Sequence, residues 1–233
     1  MCGRYSVVKK RLPKEHRFAA QLAQIEDSPH YNAAPSQKLP VITQLGGGIE
    51  FFKWGLVPAW AKDLKSAKPI NARAETITTS PMFNRLIRSK RCLIPADSFY
   101  EWQVKEVPEI TLFDLPALPK KTNQIKKPFR IMRRDEDLFT FAGLWDEWLD
   151  KTTGELLKTF TIITTEANDL VRPIHDRMPV ILSPEAEELW LDPNEKEVLD
   201  LLQPYDANLM KAYPISELIN SPANNSPDVL NSL

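Results

Sequence analysis

Short runs of β-branched and aromatic residues recur along the chain, most of them bounded by Gly, Pro or Asp. LPVITQ (39–44) and IEFFKW (49–54) flank Gly46, Gly47 and Gly48, which predicts a hairpin turning through the glycines. Residues 91–103, RCLIPADSFYEWQ, read as two short strands broken at Pro95-Ala96-Asp97. PFRIMRR (128–134) and LFTFAGLW (138–145) predict another hairpin through Asp135-Glu136-Asp137, and LKTFTIITT (157–165) is a further β-prone run. Helical spacing is rarer. It occurs over Lys9 to Ile25 after Pro13, and in PEAEELWL, which Ser183-Pro184 starts. Asp192-Pro193-Asn194-Glu195 supplies an N-cap, a proline at the first helical position and an acidic N3, predicting one more helix.

These elements predict an α+β fold: a single domain over 1–233, with a mostly antiparallel sheet, curved or barrel-like, and peripheral helices. The stretch from Gln103 to Lys127 is rich in Pro and Lys and has no clean period, so a long loop or extended hairpin tip is expected near 104–127. The tail 213–233, rich in Pro, Asn and Ser, is expected to drape over the surface.

Composition narrows the function. At 42 % hydrophobic and 26 % charged residues, the 233-residue chain has the make-up of an ordinary globular protein. Its two cysteines, Cys2 and Cys92, lie in no CxxC pair and near no spaced histidine pair, so neither a structural metal nor a cofactor is expected. The N-terminus has no apolar stretch long enough for a signal peptide, and no window holds about 18 consecutive apolar residues, the length a membrane span needs. A cytoplasmic monomer without membrane contact is expected, and reducing conditions there would keep Cys2 a free thiol. A net charge of -1 confines any nucleic-acid site to a local patch.

Four islands could carry chemistry. Removal of Met1 would leave an α-amine and a β-thiol on Cys2, a pair that attacks an aldehyde twice: the amine forms a Schiff base and the thiol closes a thiazolidine ring. An α-amine titrating near ~7.7–8.0 needs little help to be neutral. In Asn71-Ala72-Arg73-Ala74-Glu75 an amide, a guanidinium and a carboxylate alternate; an extended segment would point all three to one face, whereas a helix would pair Arg73 with Glu75. Glu101 lies among Phe99, Tyr100 and Trp102. Burial there would raise its pKa into the range of a proton shuttle, and an ordinary strand would leave it in water. His175, in Ile174-His175-Asp176-Arg177-Met178-Pro179, is either a proton carrier or a structural histidine, and Arg177 could hold a phosphate. Arg85, Arg88, Lys90 and Arg91 form a basic run near Phe83, and Trp54, Trp60 and Trp102 could face unstacked bases. For the basic run and Trp60, a solvated helix face and a core side chain are the simpler readings.

Taken in order, these islands resemble the SRAP family, the SOS-response-associated peptidase or abasic-site processing proteins. The resemblance runs from Cys2-Gly3-Arg4 through Trp54-Gly55-Leu56-Val57-Pro58, Asn71-Ala72-Arg73-Ala74-Glu75-Thr76, Arg91-Cys92-Leu93-Ile94-Pro95, Phe99-Tyr100-Glu101-Trp102, Ala142-Gly143-Leu144-Trp145 and Thr161-Ile162-Ile163-Thr164-Thr165 to His175-Asp176-Arg177-Met178-Pro179 and the tail Ile219-Asn220-Ser221-Pro222. It implies a protein that crosslinks to abasic sites in single-stranded DNA. Cys2 would be the nucleophile, Asn71 would hold the N-terminal amine, Glu101 would assist proton transfer and His175 would open the sugar ring. Arg4, Arg73 and Arg177 would contact phosphates, with Trp54 and Trp102 near the bases. Two departures stand out: Ser98 where the family has glycine, and a longer segment from Val104 to Lys127. A cysteine peptidase using Cys2 and His175, a non-covalent single-strand binding module, and strand scission from the Schiff base remain alternative activities.

Overall fold

A computed structural model of the chain describes residues 2–8, 29–44, 47–64, 68–108 and 122–232. The helix expected over Lys9 to Ile25 lies outside them, as do Gly46 and residues 109–121. In chain order the strands are β1 (Tyr5–Val7), β2 (His30–Ala33), β3 (Lys38–Val41), β4 (Glu50–Trp54), β5 (Asn71–Arg73), β6 (Arg91–Ala96), β7 (Ser98–Pro108), β8 (Thr122–Arg133), β9 (Phe139–Leu149), β10 (Leu156–Glu166), β11 (Arg177–Pro179), β12 (Ile181–Leu182) and β13 (Met210–Pro214). The α-helices are α1 (Leu86–Ser89) and α2 (Pro184–Leu191).

The strands form two sheets. One runs β13-β8-β7-β1-β2 and is antiparallel throughout. The other runs β12-β9-β10-β4-β3, with β6 added on β9 and with β5 and β11 on β10; β4 and β5 pair with β10 in parallel. This second sheet curls without closing into a barrel, and an isolated bridge from Ile42 to Leu93 reaches across the remaining gap. The sheets share one core. Tyr5 and Phe99 of the first meet Trp54 and Phe141 of the second, with ring centroids 5.3 Å (Tyr5 to Trp54), 5.7 Å (Tyr5 to Phe141) and 6.2 Å (Phe99 to Phe141) apart. Edge-to-face contacts of this kind add to the apolar burial that holds two sheets together.

The glycine-flanked hairpin is present as β3 and β4, and the break after Ala96 separates β6 from β7. The turn after Arg133 is also present, with Glu136 in the left-handed region (φ 61). Its flanking strands do not form a hairpin, however: β8 pairs with β7 and β13, while β9 pairs with β6, β10 and β12. The chain changes sheets at this turn. Within the stretch expected to be loop or hairpin tip, Gln103–Pro108 pairs with Thr122–Lys127.

Ser183 caps α2, accepting the Ala186 N–H at 3.3 Å, with Pro184 in the first turn. The helix expected from Pro193 does not form. Asp192 is instead the C-cap of α2, and buried Arg91 donates to the carbonyls of Ile87, Trp190 and Asp192, which draws the chain inward. Only a 3-10 turn, Val198–Leu201, follows. The tail lies over the back of β7 and is pinned there: Ile215, Ile219 and Val229 are fully buried with Tyr100, whose hydroxyl donates to the Tyr31 carbonyl at 2.7 Å.

Candidate functional site

Strand alternation puts Phe99 and Glu101 on the face of β7 that looks into the core, and Tyr100 and Trp102 on the face under the tail. Glu101 is therefore buried, at 3 % exposure, rather than solvated. Burial, reinforced by the Asp176 carboxylate, raises its pKa from 4.5 to about 7. β1 lies antiparallel on β7, with Tyr5 opposite Phe99 and the Tyr100 N–H donating to the Arg4 carbonyl at 3.0 Å. Continuing that pairing puts Gly3 opposite Glu101, and Cys2, next to it, lies within reach of the Glu101 charge. The Cys2 side chain is fully buried, its Sγ lies 3.8 Å from the Arg4 carbonyl oxygen, and its thiol is pushed far up, first by burial and then by the Glu101 charge. The resting sulfur is a neutral thiol.

A buried polar knot that the sequence did not announce fastens this strand pair. The Asp97 carboxylate accepts the Val8 N–H and the Ser6 hydroxyl, and Arg130 lies 3.3 Å from it. Arg130 also donates to the Ser98 hydroxyl at 2.9 Å, so Ser98 joins the knot.

Asn71 stands opposite Ile162, two residues along β10 from Phe160, which stands opposite Trp54. Residues in register share a face, so the Asn71 side chain looks to the same interior as Trp54 and its neighbour Tyr5. Both polar atoms of the Asn71 amide are buried and have no hydrogen-bond partner among the described residues. A buried amide with nothing to bind is costly, and functional sites are where such groups are tolerated. His175 is about a quarter exposed; its Nδ1 accepts the Arg177 N–H at 3.0 Å, with Asp176 Oδ1 at 2.8 Å. Burial outweighs Asp176 and lowers the imidazole pKa, so the ring is neutral at pH 7. The Gln103 side chain, two residues past Glu101, donates to the Pro173 carbonyl at 2.9 Å and ties β7 to the His175 turn.

The residues expected to touch DNA divide. Trp54 is 1 % exposed, stacks on Phe160 and donates its indole N–H to the Ile70 carbonyl at 2.9 Å. It is a core side chain that anchors the residue before Asn71, and no base can stack on it. Trp102 is half-buried and donates to Asn220 Oδ1 at 2.7 Å, while Arg4 donates to Asn32, Ile219 and Asn220. Both are held by the tail. Arg177 makes a two-point pair with Glu75 at 2.7 and 2.9 Å and donates to the Thr164 carbonyl. Arg73 is exposed; Glu75 lies in the 3-10 turn Ala74–Thr76 and turns to Arg177 instead. The basic run disperses: Arg91 is internal, Lys90 lies over Trp145 and pairs with Glu147, and Arg85 faces Asp146. Trp60 is exposed.

Comparison with known proteins gives consistent matches. The model of the family described as SOS response associated peptidase (SRAP) matches residues 1–222. The abasic site processing protein YoqW of Bacillus subtilis is 44 % identical over 240 residues, with the whole of both chains covered. The abasic site processing protein HMCES of Gallus gallus is 34 % identical over 224 residues, covering 87 % of this chain and 66 % of that protein. A crystal structure of a Bacteroides thetaiotaomicron protein superposes with a TM-score of 0.74 at 34 % identity, covering 88 % of this chain and 85 % of the other.

Proposed function

We propose, for a chain that belongs to the SOS response associated peptidase (SRAP) family, that it processes abasic sites in single-stranded DNA by covalent capture of the sugar aldehyde on Cys2 once Met1 has been removed. The observation that carries this reading is the Glu101 carboxyl, buried beside the Cys2 thiol and titrating near neutrality. Relatives that cover the chain end to end are named for abasic-site processing, which supports the choice of substrate.

Each step draws on one described group. Neutral His175 takes the proton of the sugar's C1 hydroxyl and returns one to the ring oxygen, which opens the hemiacetal to the aldehyde. The Asn71 amide accepts a hydrogen bond from the Cys2 amine and aims its lone pair at the carbonyl carbon. The amine adds, giving a neutral carbinolamine. Glu101, protonated, delivers its proton to the carbinolamine hydroxyl; water leaves and an iminium remains beside the Glu101 carboxylate. That carboxylate then takes the thiol proton as sulfur bonds to the iminium carbon. The products are a thiazolidine and one water, and Glu101 ends protonated as it began. A group that gives and takes the same proton works best with a pKa near the working pH, and burial places Glu101 there.

A thiol peptidase needs the thiolate, which burial and Glu101 both oppose at Cys2. In the capture reading the thiol reacts second, after the iminium has formed, and a neutral resting thiol suits that order. For DNA, Arg73 offers an exposed cation, whereas Arg177 reaches a phosphate only by giving up Glu75, and Arg4 and Trp102 only by releasing the turn at 219–220. The test is a denaturing gel after incubation with a single-stranded oligonucleotide carrying one abasic site. A retarded band that requires both the lesion and Cys2 is expected. Its absence from protein whose Met1 has been removed, or its persistence in Cys2→Ser, rejects the reading.

A further inference from the structure

The capture chemistry leaves one buried polar group unused. The Tyr5 hydroxyl is fully buried and, among the described residues, has no hydrogen-bond partner. A desolvated O–H that nothing accepts is a cost that phenylalanine would avoid with the same ring. The ring itself packs edge-to-face on Trp54 and Phe141. Those contacts account for an aromatic side chain at this position and leave its oxygen unexplained. Tyr100 is the contrast, because its hydroxyl is bonded to the Tyr31 carbonyl at 2.7 Å.

Three observations turn that oxygen toward the reacting centre. Tyr5 is in register with Phe99, two residues before Glu101 on β7, so the Tyr5 and Glu101 side chains share the inner face. The Tyr5 ring meets Trp54, whose indole is bonded to the carbonyl of Ile70, the residue before Asn71. Of the charges that act on the phenol, that of Cys2 is the largest, ahead of Cys92. Burial and those two groups push its pKa well above 10, so the hydroxyl keeps its proton and can donate at neutral pH. The Thr161 hydroxyl, also buried without a partner, looks the other way. It adjoins Ile162 on β10, which is the register partner of Asn71, and neighbours along a strand face opposite sides.

A donor waiting beside an aminothiol suits a ligand that brings an oxygen acceptor. As the Cys2 nitrogen bonds to the aldehyde carbon, the C=O electron pair moves onto oxygen. The ammonium proton then passes to that oxygen, giving the neutral carbinolamine. Until it does, the oxygen is an alkoxide. Asn71 is engaged with the amine, and Glu101 gives its proton in the following step, to the hydroxyl that leaves. A fixed, uncharged O–H in a dry site binds the alkoxide more tightly than the starting carbonyl, and it does so without surrendering its proton.

We propose that the Tyr5 hydroxyl is a catalytic hydrogen-bond donor to the aldehyde oxygen of the abasic sugar, holding the alkoxide that forms as the Cys2 amine adds. The inference rests on the capture reading, and its test separates the two. Full-length wild type, Tyr5→Phe and Tyr100→Phe are compared, each with Met1 removed. Stability is read by urea unfolding, and DNA affinity by anisotropy of a labelled single-stranded oligonucleotide of intact nucleotides. Capture is followed in a single turnover on denaturing gels, at saturating single-stranded DNA carrying one abasic site.

Tyr5→Phe is expected to keep or raise the urea midpoint, whereas Tyr100→Phe, which loses a bond the fold makes, should lower it by roughly 0.3–1 M. Tyr5→Phe should bind intact DNA as wild type does and capture about a hundredfold more slowly, with the inflection near pH 7 retained. A lowered midpoint in Tyr5→Phe means that the hydroxyl serves the fold, and it overturns the inference. Capture at the wild-type rate overturns it as well, as does a slowing matched by weaker DNA binding. In each of those cases wild type still forms its adduct and capture stands. A wild type that forms no adduct refutes capture itself, and this inference with it.

Discussion

Replacing Glu101 with Gln keeps the shape of the side chain and removes its ability to ionise. In the folded protein the carboxyl titrates near 7 instead of 4.5, because its charged form is shut away from water. The fold therefore binds this proton more tightly than the unfolded chain does. The resulting stability is complete below pH 4.5, declines as pH rises and is gone above pH 7. A displacement of about 2.5 pH units at ~1.4 kcal/mol each amounts to about 3 kcal/mol, a large share of a typical ~5–15 kcal/mol total. Glutamine carries no such dependence, and every other titrating group is common to both proteins. Urea unfolding of wild type and Glu101→Gln across this pH range should give a difference in stability that moves by about 3 kcal/mol in favour of the variant as pH rises. The variant should also capture abasic DNA some ~100-fold more slowly, without the inflection near pH 7. A stability difference flat with pH would refute the buried, neutral carboxyl and the proton cycle built on it.

Other consequences are as direct. Trp54→Phe deletes the bond to the Ile70 carbonyl and leaves a cavity where the larger indole packed, so it should cost ~2–4 kcal/mol and slow capture while leaving DNA affinity unchanged; weakened affinity would return Trp54 to the role of a base platform. A Cβ on Gly143 would lie 2.2 Å from Ile94 Cδ1 and 2.9 Å from the Thr161 carbonyl oxygen, so Gly143→Ala should lower stability by ~1–3 kcal/mol in denaturant titration. His175→Gln should slow capture of the closed sugar far more than reaction with a simple open-chain aldehyde, and equal slowing of both would remove ring opening from its role. Asp97→Asn should slow capture at saturating DNA without changing the midpoint near pH 7, because it loosens β1 on β7 and leaves Glu101 buried.

Strand runs were legible because they pair β-branched and aromatic content with two-residue alternation, and the same alternation could have placed Glu101 with Phe99 on the inner face of β7. Partnership was not legible. Nothing in PFRIMRR or LFTFAGLW says that the turn between them crosses from one sheet to the other, since alternation specifies a face and not a neighbour. The capping signal at Asp192-Pro193 was real but marked an end, and the side chain that pulls the chain inward there is Arg91, about a hundred residues earlier. Trp54 could not be distinguished from an exposed aromatic until β10 and β1 were seen to cover it. Of the site proposed here, Cys2, Asn71, Glu101 and His175 were all named from local company and family resemblance.

The central claim is tested most directly by the chemical form of the adduct at Cys2. The crosslinked protein is denatured by heat, digested, and the N-terminal peptide weighed, with and without prior borohydride. Thiazolidine formation predicts a peptide heavier by the open-chain sugar moiety less one water, with no free thiol or amine at Cys2 and no need for the reductant. An adduct that survives only after borohydride, or one attached to another residue, would contradict the account.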